Sequence, residues 1–295
     1  MPVRFFTDAE RERLDLFPEE VEHNDLVTFF TLSSSDKAEI PVYSAAHNRL
    51  GFVLQLGALR FMGFVPDDLA SAPASVVHYI ANQMNIEPGL FAEYGVRDHT
   101  RTDHLRRIAQ YVGYRKADEK DLKDLSGWLR DRALEHDKPK LLYDLTCDKL
   151  RSEKILRPGV TRLERLVAEA RQEARFETLR RLAPILTDGC RTLLDSLLTY
   201  DSSTGSTWLS WLRRSGISNS PRAILGNLER LAFLKDAGVS GWNLDNLNLN
   251  RLKLLAQIAR RSTGQALQRS PAERRYPTLV HCGGNWLTVL DRCFR

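Results

Sequence analysis

The sequence predicts an all-α protein of two small helical domains that contain helix-turn-helix-like units. Three observations carry this. Apolar residues recur at three- and four-residue spacing through nearly every segment, the period of one helix face. No run of alternating apolar strands separated by helices appears, as an α/β enzyme would need. Cap and break residues punctuate the chain at intervals suited to short helices. The length, 295 residues with 42% hydrophobic and 27% charged, allows one large or two modest domains.

In chain order, Thr7 with Glu10 has capping-box spacing and opens a short charged helix through Leu16. A second element covers Asp25 to Leu32, with Leu26, Phe29 and Phe30 as its apolar face. Leu50, Val53, Leu54, Gly57 and Phe61 then make one helical stripe, and Phe52, Leu56 and Leu59 another on the opposite side. A helix apolar on two sides belongs in the middle of its domain. Arg49 and Arg60 emerge along one edge of it, either snorkelling from the core or reaching a phosphate. Pro66 ends this helix, and Pro73 starts another through Val76, Val77, Ile80 and Met84. Pro88-Gly89 is a turn, followed by a short helix to Tyr94 and a break at Gly95.

From Thr100 a further helix packs Leu105, Ile108, Ala109 and Val112 inward. Asp103, Arg106, Arg107 and Gln110 face the other way, flanked by His104 and Tyr111. Short helix, Gly-containing break and polar-faced second helix have the grammar of a helix-turn-helix. The face reads equally as a recognition surface or as a solvated one. A charged helix around Trp128 follows, and Arg157-Pro158-Gly159 is the clearest boundary, dividing residues 1–156 from 157–295. Thr161 with Glu164 again matches a capping box, opening a helix to about Leu182. Its Arg165–Glu169 and Glu177–Arg181 spacings suit ion pairs along an exposed face. The stretch from Thr199 to Thr207 is a loop. Trp208 and Trp211 next read as core or as base-stacking platforms. After a turn at Gly216 to Asn219, Ser220 and Pro221 cap a helix carrying Ile224, Leu225, Leu228 and Leu231.

Charge is unevenly spread. The net charge is +5, yet residues 1–40 hold 4 basic and 10 acidic side chains, leaving +11 on the rest. Thirty-three of the 43 cations are arginine, the residue suited to phosphate and guanine edges. Arg251 to Arg275 holds seven basic residues and one acidic, which favours a polyanionic partner. No stretch has membrane-spanning length and no apolar signal core opens the chain, so an intracellular protein without a membrane partner is expected. Cys147, Cys190, Cys282 and Cys293 include no C-x-x-C pair, and His281-Cys282 with Cys293 fits no finger or ribbon spacing. No metal site and no cofactor are expected; phosphate-loop, dinucleotide and hydrolase motifs are missing from the sequence.

Ordered strings of residues then carry a resemblance. Pro2-Val3-Arg4-Phe5, His47-Asn48-Arg49-Leu50-Gly51-Phe52, Leu59-Arg60-Phe61, Gly63-Phe64-Val65-Pro66-Asp67-Asp68, Thr100-Arg101, His104-Leu105, Tyr111-Val112-Gly113, Arg157-Pro158-Gly159, Asn250-Arg251-Leu252 and Arg274-Arg275-Tyr276 resemble the amino-terminal region of the transposases of the Tn-three family, over about residues 1 to 279. The resemblance implies two helical domains that bind the terminal inverted repeats of a transposon. It places catalysis in an RNase-H-like domain downstream, so this chain alone is expected to be no enzyme and to have no catalytic residue. The residues chosen for DNA contact are Arg49, Arg60, Arg101, Arg106, Arg107 and Gln110 in the first domain, and Arg213, Arg214, Arg222, Arg251, Arg260 and Arg261 in the second. Double-stranded DNA is the expected partner, with a second copy or full-length transposase as the alternative, in a bacterial cytoplasm and on the nucleoid when bound. After Tyr276 the family pattern ends. Val280-His281-Cys282-Gly283-Gly284-Asn285-Trp286 breaks helical periodicity, which predicts a truncated copy with an atypical tail from about residue 280 and leaves the closure of the second core an open question.

Overall fold

The computed structural model describes residues 4–40, 45–94, 98–202, 205–213 and 220–293. Among these, the architecture is all-α, with only two short two-stranded pairings. The chain forms two compact units, residues 1–127 with 139–168 and residues 128–138 with 169–295. The partition falls inside two helices, eleven residues beyond the Arg157-Pro158-Gly159 signal, and the segment 128–138 groups with the later residues.

In the first unit, α1 (Asp8–Leu14) opens with the Thr7–Glu10 capping box: the Glu10 amide donates to Thr7 Oγ1, and the Thr7 amide to Glu10 Oε2. It is followed by α2 (His23–Phe30), α3 (Ser34–Glu39), α4 (Ala46–Met62), α5 (Ala74–Met84) and α6 (Asp98–Val112). All ten residues from Leu50 to Leu59 of α4 are buried, as expected of a helix apolar on two sides. The α4 backbone approaches its neighbours closely: a Cβ at Gly51 would stand 2.3 Å from the Tyr94 ring. Next come α7 (Glu119–Glu135), α8 (Pro139–Ser152) and α9 (Val160–Arg181), of which α7 and α9 are the two helices that the partition divides. β1 (Arg115–Lys116) pairs in parallel with β2 (Ile155–Leu156), Arg115 opposite Ile155.

Helix α9 corrects the second capping box. It begins at Val160, one residue before Thr161, so Thr161 lies inside the helix. Glu164 is instead 2% exposed. Its carboxylate accepts the Phe5 and Phe6 amides, both at 3.0 Å, and Arg11 Nε at 2.6 Å. Burial works to raise its pKa, but Arg11 and the two amides hold it below the ordinary value. A carboxylate tying down a segment some 159 residues away leaves no local spacing to read.

The second unit holds α10 (Asp188–Ser196), a hairpin of β3 (Tyr200–Asp201) and β4 (Ser206–Thr207), α11 (Trp208–Arg213), α12 (Pro221–Asp236), α13 (Leu249–Arg261), α14 (Gly264–Gln268) and α15 (Ala272–Cys293). Ser220 caps α12 by accepting the Ala223 amide, with Pro221 in the first turn. The predicted break at Gly283-Gly284 is corrected, because α15 runs through both. Leu279, Val280 and Cys282 are buried in this unit. A Cβ at Gly283 would stand 2.7 Å from Trp242 Cζ3. The glycine therefore serves close helix–indole packing, which outweighs its poor helix propensity. Val280 and Cys282, within the segment that the sequence marks as a departure, thus lie buried in the second unit.

Candidate nucleic-acid interface

On α6 the exposed face carries Thr102, Asp103, Arg106, Arg107 and Gln110. Both of its arginines have acidic partners. Arg106 pairs with Asp103 at 3.1 Å, one turn away. Arg107 pairs with Glu39 of α3 at 3.3 Å and lies 5.8 Å from the Phe52 ring centroid. Arg101, at the start of the face, donates to the Asp67 carbonyl and, at 3.2 Å, to its carboxylate. His104 does not flank this face. It is buried, with Nδ1 2.9 Å from the Tyr94 hydroxyl and its ring stacked on Tyr94. Tyr94 itself accepts Gln55 Nε2 at 2.7 Å, so the imidazole has a polar partner in the core.

The two cations of α4 behave similarly. Arg60 grips Asp36 of α3 through both terminal nitrogens, at 2.6 and 3.1 Å. Asp36 is 1% exposed and also accepts the Tyr111 hydroxyl at 2.8 Å and the Ser33 amide at 2.9 Å. Burial alone would raise its pKa, but Arg60 and these donors hold it well below the carboxylate range. Arg49 is half-buried, and its Nε is buried without a hydrogen-bond partner. The six-residue α3 thus supplies the carboxylates for two of the six first-domain candidates.

The second unit gathers its candidates around α13, whose sequence contains no acid. Leu255 and Ala259 are buried, as is Arg251, at 4% exposure. Arg251 is therefore a correction: its Nε donates to Thr178 at 3.0 Å, and desolvation lowers its pKa. It anchors α13 from beneath and does not reach solvent. Arg213 of α11 acts from the end, donating to the carbonyls of Ser262 at 2.8 Å and Ala259 at 2.5 Å, where helix carbonyls otherwise lack partners. The opposite face exposes Asn250, Lys253, Gln257, Arg260 and Arg261. Positions 250, 253, 257 and 260 follow the three-four-three spacing of one helix stripe. Among the described residues, no ion pair holds Lys253, Arg260 or Arg261. Asn250, Lys253 and Gln257 are new relative to the sequence reading; their signal was the i, i+3, i+7 polar stripe in an acid-free helix. Arg222 is exposed in the first turn of α12, and Arg214 lies outside the described residues.

Both turns of the two predicted helix-turn-helix units, at Gly95 and at Gly216 to Asn219, also lie outside the described residues. Trp208 stacks on Phe233 at 5.4 Å and meets Trp211 edge-on at 5.3 Å, so both indoles pack against the core of the unit. By unit, the charges separate further than by position. The first holds 21 basic and 24 acidic residues, a balance of −3; the second holds 22 and 14, a balance of +8. Among the described residues no group of His, Cys, Asp and Glu could hold a metal ion, and no helix is long and apolar enough to cross a membrane. Cys282 is buried, its thiol pushed up to about 11 by desolvation.

Residues 5–170 match a family described as a domain of unknown function, DUF4158. The chain belongs to the DUF4158 family. Over 281 residues, 95% of its length, it is also 31% identical to the transposase for transposon Tn501 of Pseudomonas aeruginosa. It is 30% identical over 283 residues to the transposase for transposon gamma-delta of Escherichia coli (strain K12), and 30% identical over 257 residues to that for transposon Tn1546 of Enterococcus faecium. The resemblance to Tn-three-type transposases therefore extends through the DUF4158 region and beyond it, past α13. The chain spans only 26–28% of the length of these relatives. The greater part of each transposase has no counterpart in these 295 residues.

Proposed function

We propose that this DUF4158 protein is the DNA-binding part of a transposition system and that it recognises the terminal inverted repeats of a transposon. Both units contact double-stranded DNA in this reading, through helix-turn-helix-like units, without covalent chemistry of their own. The observation that carries it is the face of α13, where Asn250, Lys253, Gln257, Arg260 and Arg261 stand exposed with no acid on the helix. Amide side chains suit adenine and cationic ones suit guanine in a major groove, while the remaining cations hold phosphates. The +8 balance of the unit adds long-range attraction to the polyanion. Arg222 and, in the first unit, Arg101, Arg106, Arg107 and Gln110 form supporting contacts. The protein acts in the bacterial cytoplasm, on the nucleoid.

A gel-shift series on repeat-containing and random duplexes across salt concentrations tests this. Binding should weaken with salt at a log–log slope of about 0.9 per phosphate contacted, with the repeat favoured. Salt-independent binding, or none at low salt, overturns it.

One observation favours a second reading. Ile224, Leu225 and Leu228 of α12 are 42%, 61% and 43% exposed, leaving only Leu231 of that apolar series buried. Such a strip suits a protein partner, a second copy or full-length transposase. Co-purification from nuclease-treated extract would support it, and a strictly monomeric chain without a complex would end it.

A further inference from the structure

We infer that a basic groove in the first unit is a phosphate-binding site that holds one phosphodiester of the duplex. The groove has a volume of about 500 Å³ and is lined by Arg60, Tyr111, Tyr114, Arg151 and Lys154 among others, with no carboxylate in its wall. This rests on the DNA-binding reading, and it places the contact off the Arg106–Arg107 face of α6, whose last turn alone enters the groove through Tyr111 and Val112.

Three cations from separate parts of the chain converge there, on α4, on α8 and just before β2. Their anchors leave donors over. Lys154 Nζ donates to the Val112 carbonyl at 2.9 Å, which uses one of its three protons. Arg151 is fixed by the Phe61 carbonyl at 2.9 Å and by Asp148 at 3.0 Å, which uses two of five N–H groups. Tyr114 adds a phenol to the lining; burial raises its pKa, so it stays a neutral donor. Asp36 is buried behind Arg60 and Tyr111, where it orients both without facing a ligand. A cation cluster with spare N–H and O–H donors fits a tetrahedral anion.

The backbone adds an independent observation. Lys154 has φ +55°, a left-handed conformation that glycine adopts without strain and lysine does not. A strained non-glycine residue whose ammonium enters a groove points to a role beyond folding. In a unit of net charge −3, such a focus is also where a polyanion would be drawn.

The strain makes a clean test, since Lys154→Gly removes the charge and suits the backbone. Salt dependence of duplex binding by the full chain is compared for wild type, Lys154→Gly and Arg151→Gln, with folding checked by circular dichroism. The expected result is a log–log slope shallower by about 0.9 in each variant, for repeat and random duplex alike. Unchanged slope and affinity in both variants overturn the groove while leaving DNA binding in place. If wild type binds no duplex, the wider reading fails, and inorganic phosphate decides the groove alone. A shift of the Tyr111 and Tyr114 ring resonances in wild type, lost in Lys154→Gly, supports it; no shift overturns it.

Discussion

On α6, Arg106 ends on Asp103 and Arg107 on Glu39, with Arg101 on Asp67 just before them. On α13, Lys253, Arg260 and Arg261 leave a helix that has no acid at all, while its one buried arginine, Arg251, lies beneath. The two helices looked alike as lists of cations. An arginine held by a carboxylate must surrender that partner, or share it, before it can hold a phosphate, whereas an unpaired one releases only counterions and water. The basic composition therefore divides into a structural share, concentrated in the first unit, and an available share in the second.

The sharpest way to break that division is to strip the α13 face. Lys253→Ala, Gln257→Ala and Arg260→Ala together should weaken repeat binding by on the order of 10²–10³-fold, given about 1–3 kcal/mol for a base contact and less for a phosphate. The unfolding midpoint should move little, because exposed positions are usually within about 0.5 kcal/mol each. Retained affinity would return the interface to α6.

The converse experiment removes a carboxylate from the first unit. Glu164→Ala strands the Phe5 and Phe6 amides and leaves the Arg11 guanidinium only its pair with Asp8, and should cost about 3 kcal/mol in urea unfolding. Glu164→Gln, which keeps one acceptor oxygen for the two amides, should cost less. In the second unit, Gly283→Val drives a side chain into Trp242 and should cost roughly 1–3 kcal/mol. A neutral outcome there would mean that α15 is not closed against Trp242.

Much of the fold was legible because helical signals are local. The Thr7–Glu10 box, the two-sided α4 and the Ser220-Pro221 start depend on residues within a turn or two of one another. The departures share the opposite property. Glu164 resembles a capping acid until Phe5, Phe6 and Arg11 arrive from the far end of the unit. His104 resembles a surface residue until Tyr94 and Phe52 enclose it. Gly283 and Gly284 resemble a break because the Trp242 ring that needs the space lies 41 residues earlier. On the candidate interface, counting charges found the α13 region but placed the buried Arg251 and the capping Arg213 on its surface. The count missed Asn250 and Gln257 because neither carries charge.

A smaller effect concerns acid. Burial, and then the nearby Arg107, lower the His104 pKa below its ordinary value, so the unfolded chain takes up this proton more readily. The contribution of neutral His104 is therefore complete above about pH 6.5 and is lost as pH falls towards the depressed folded value. Thermal midpoints of the first unit should drop between pH 7 and pH 5, and His104→Phe should flatten that slope. An unchanged slope would assign the first unit's acid sensitivity to another group there; in the second unit His281, lowered by burial and then by Arg260, predicts a fall of the same sign.

The smallest expected effect is the most diagnostic for α6. Arg107→Ala removes a half-exposed pair with Glu39, worth about 0–1 kcal/mol of stability at most. If α6 only faces solvent, duplex affinity should hardly change. If Arg107 instead exchanges Glu39 for a base edge, the loss rises to roughly 1–3 kcal/mol and is confined to the repeat. Glu39→Gln then separates the two cases in the other direction. Freeing the guanidinium should tighten binding where Arg107 contacts DNA, because the competing carboxylate is gone. It should do no more than add the general attraction of one lost negative charge where Arg107 does not. A tightening specific to the repeat would show that the acid on α3 restrains a recognition residue, and that the contrast between the helices is one of regulation by internal pairing.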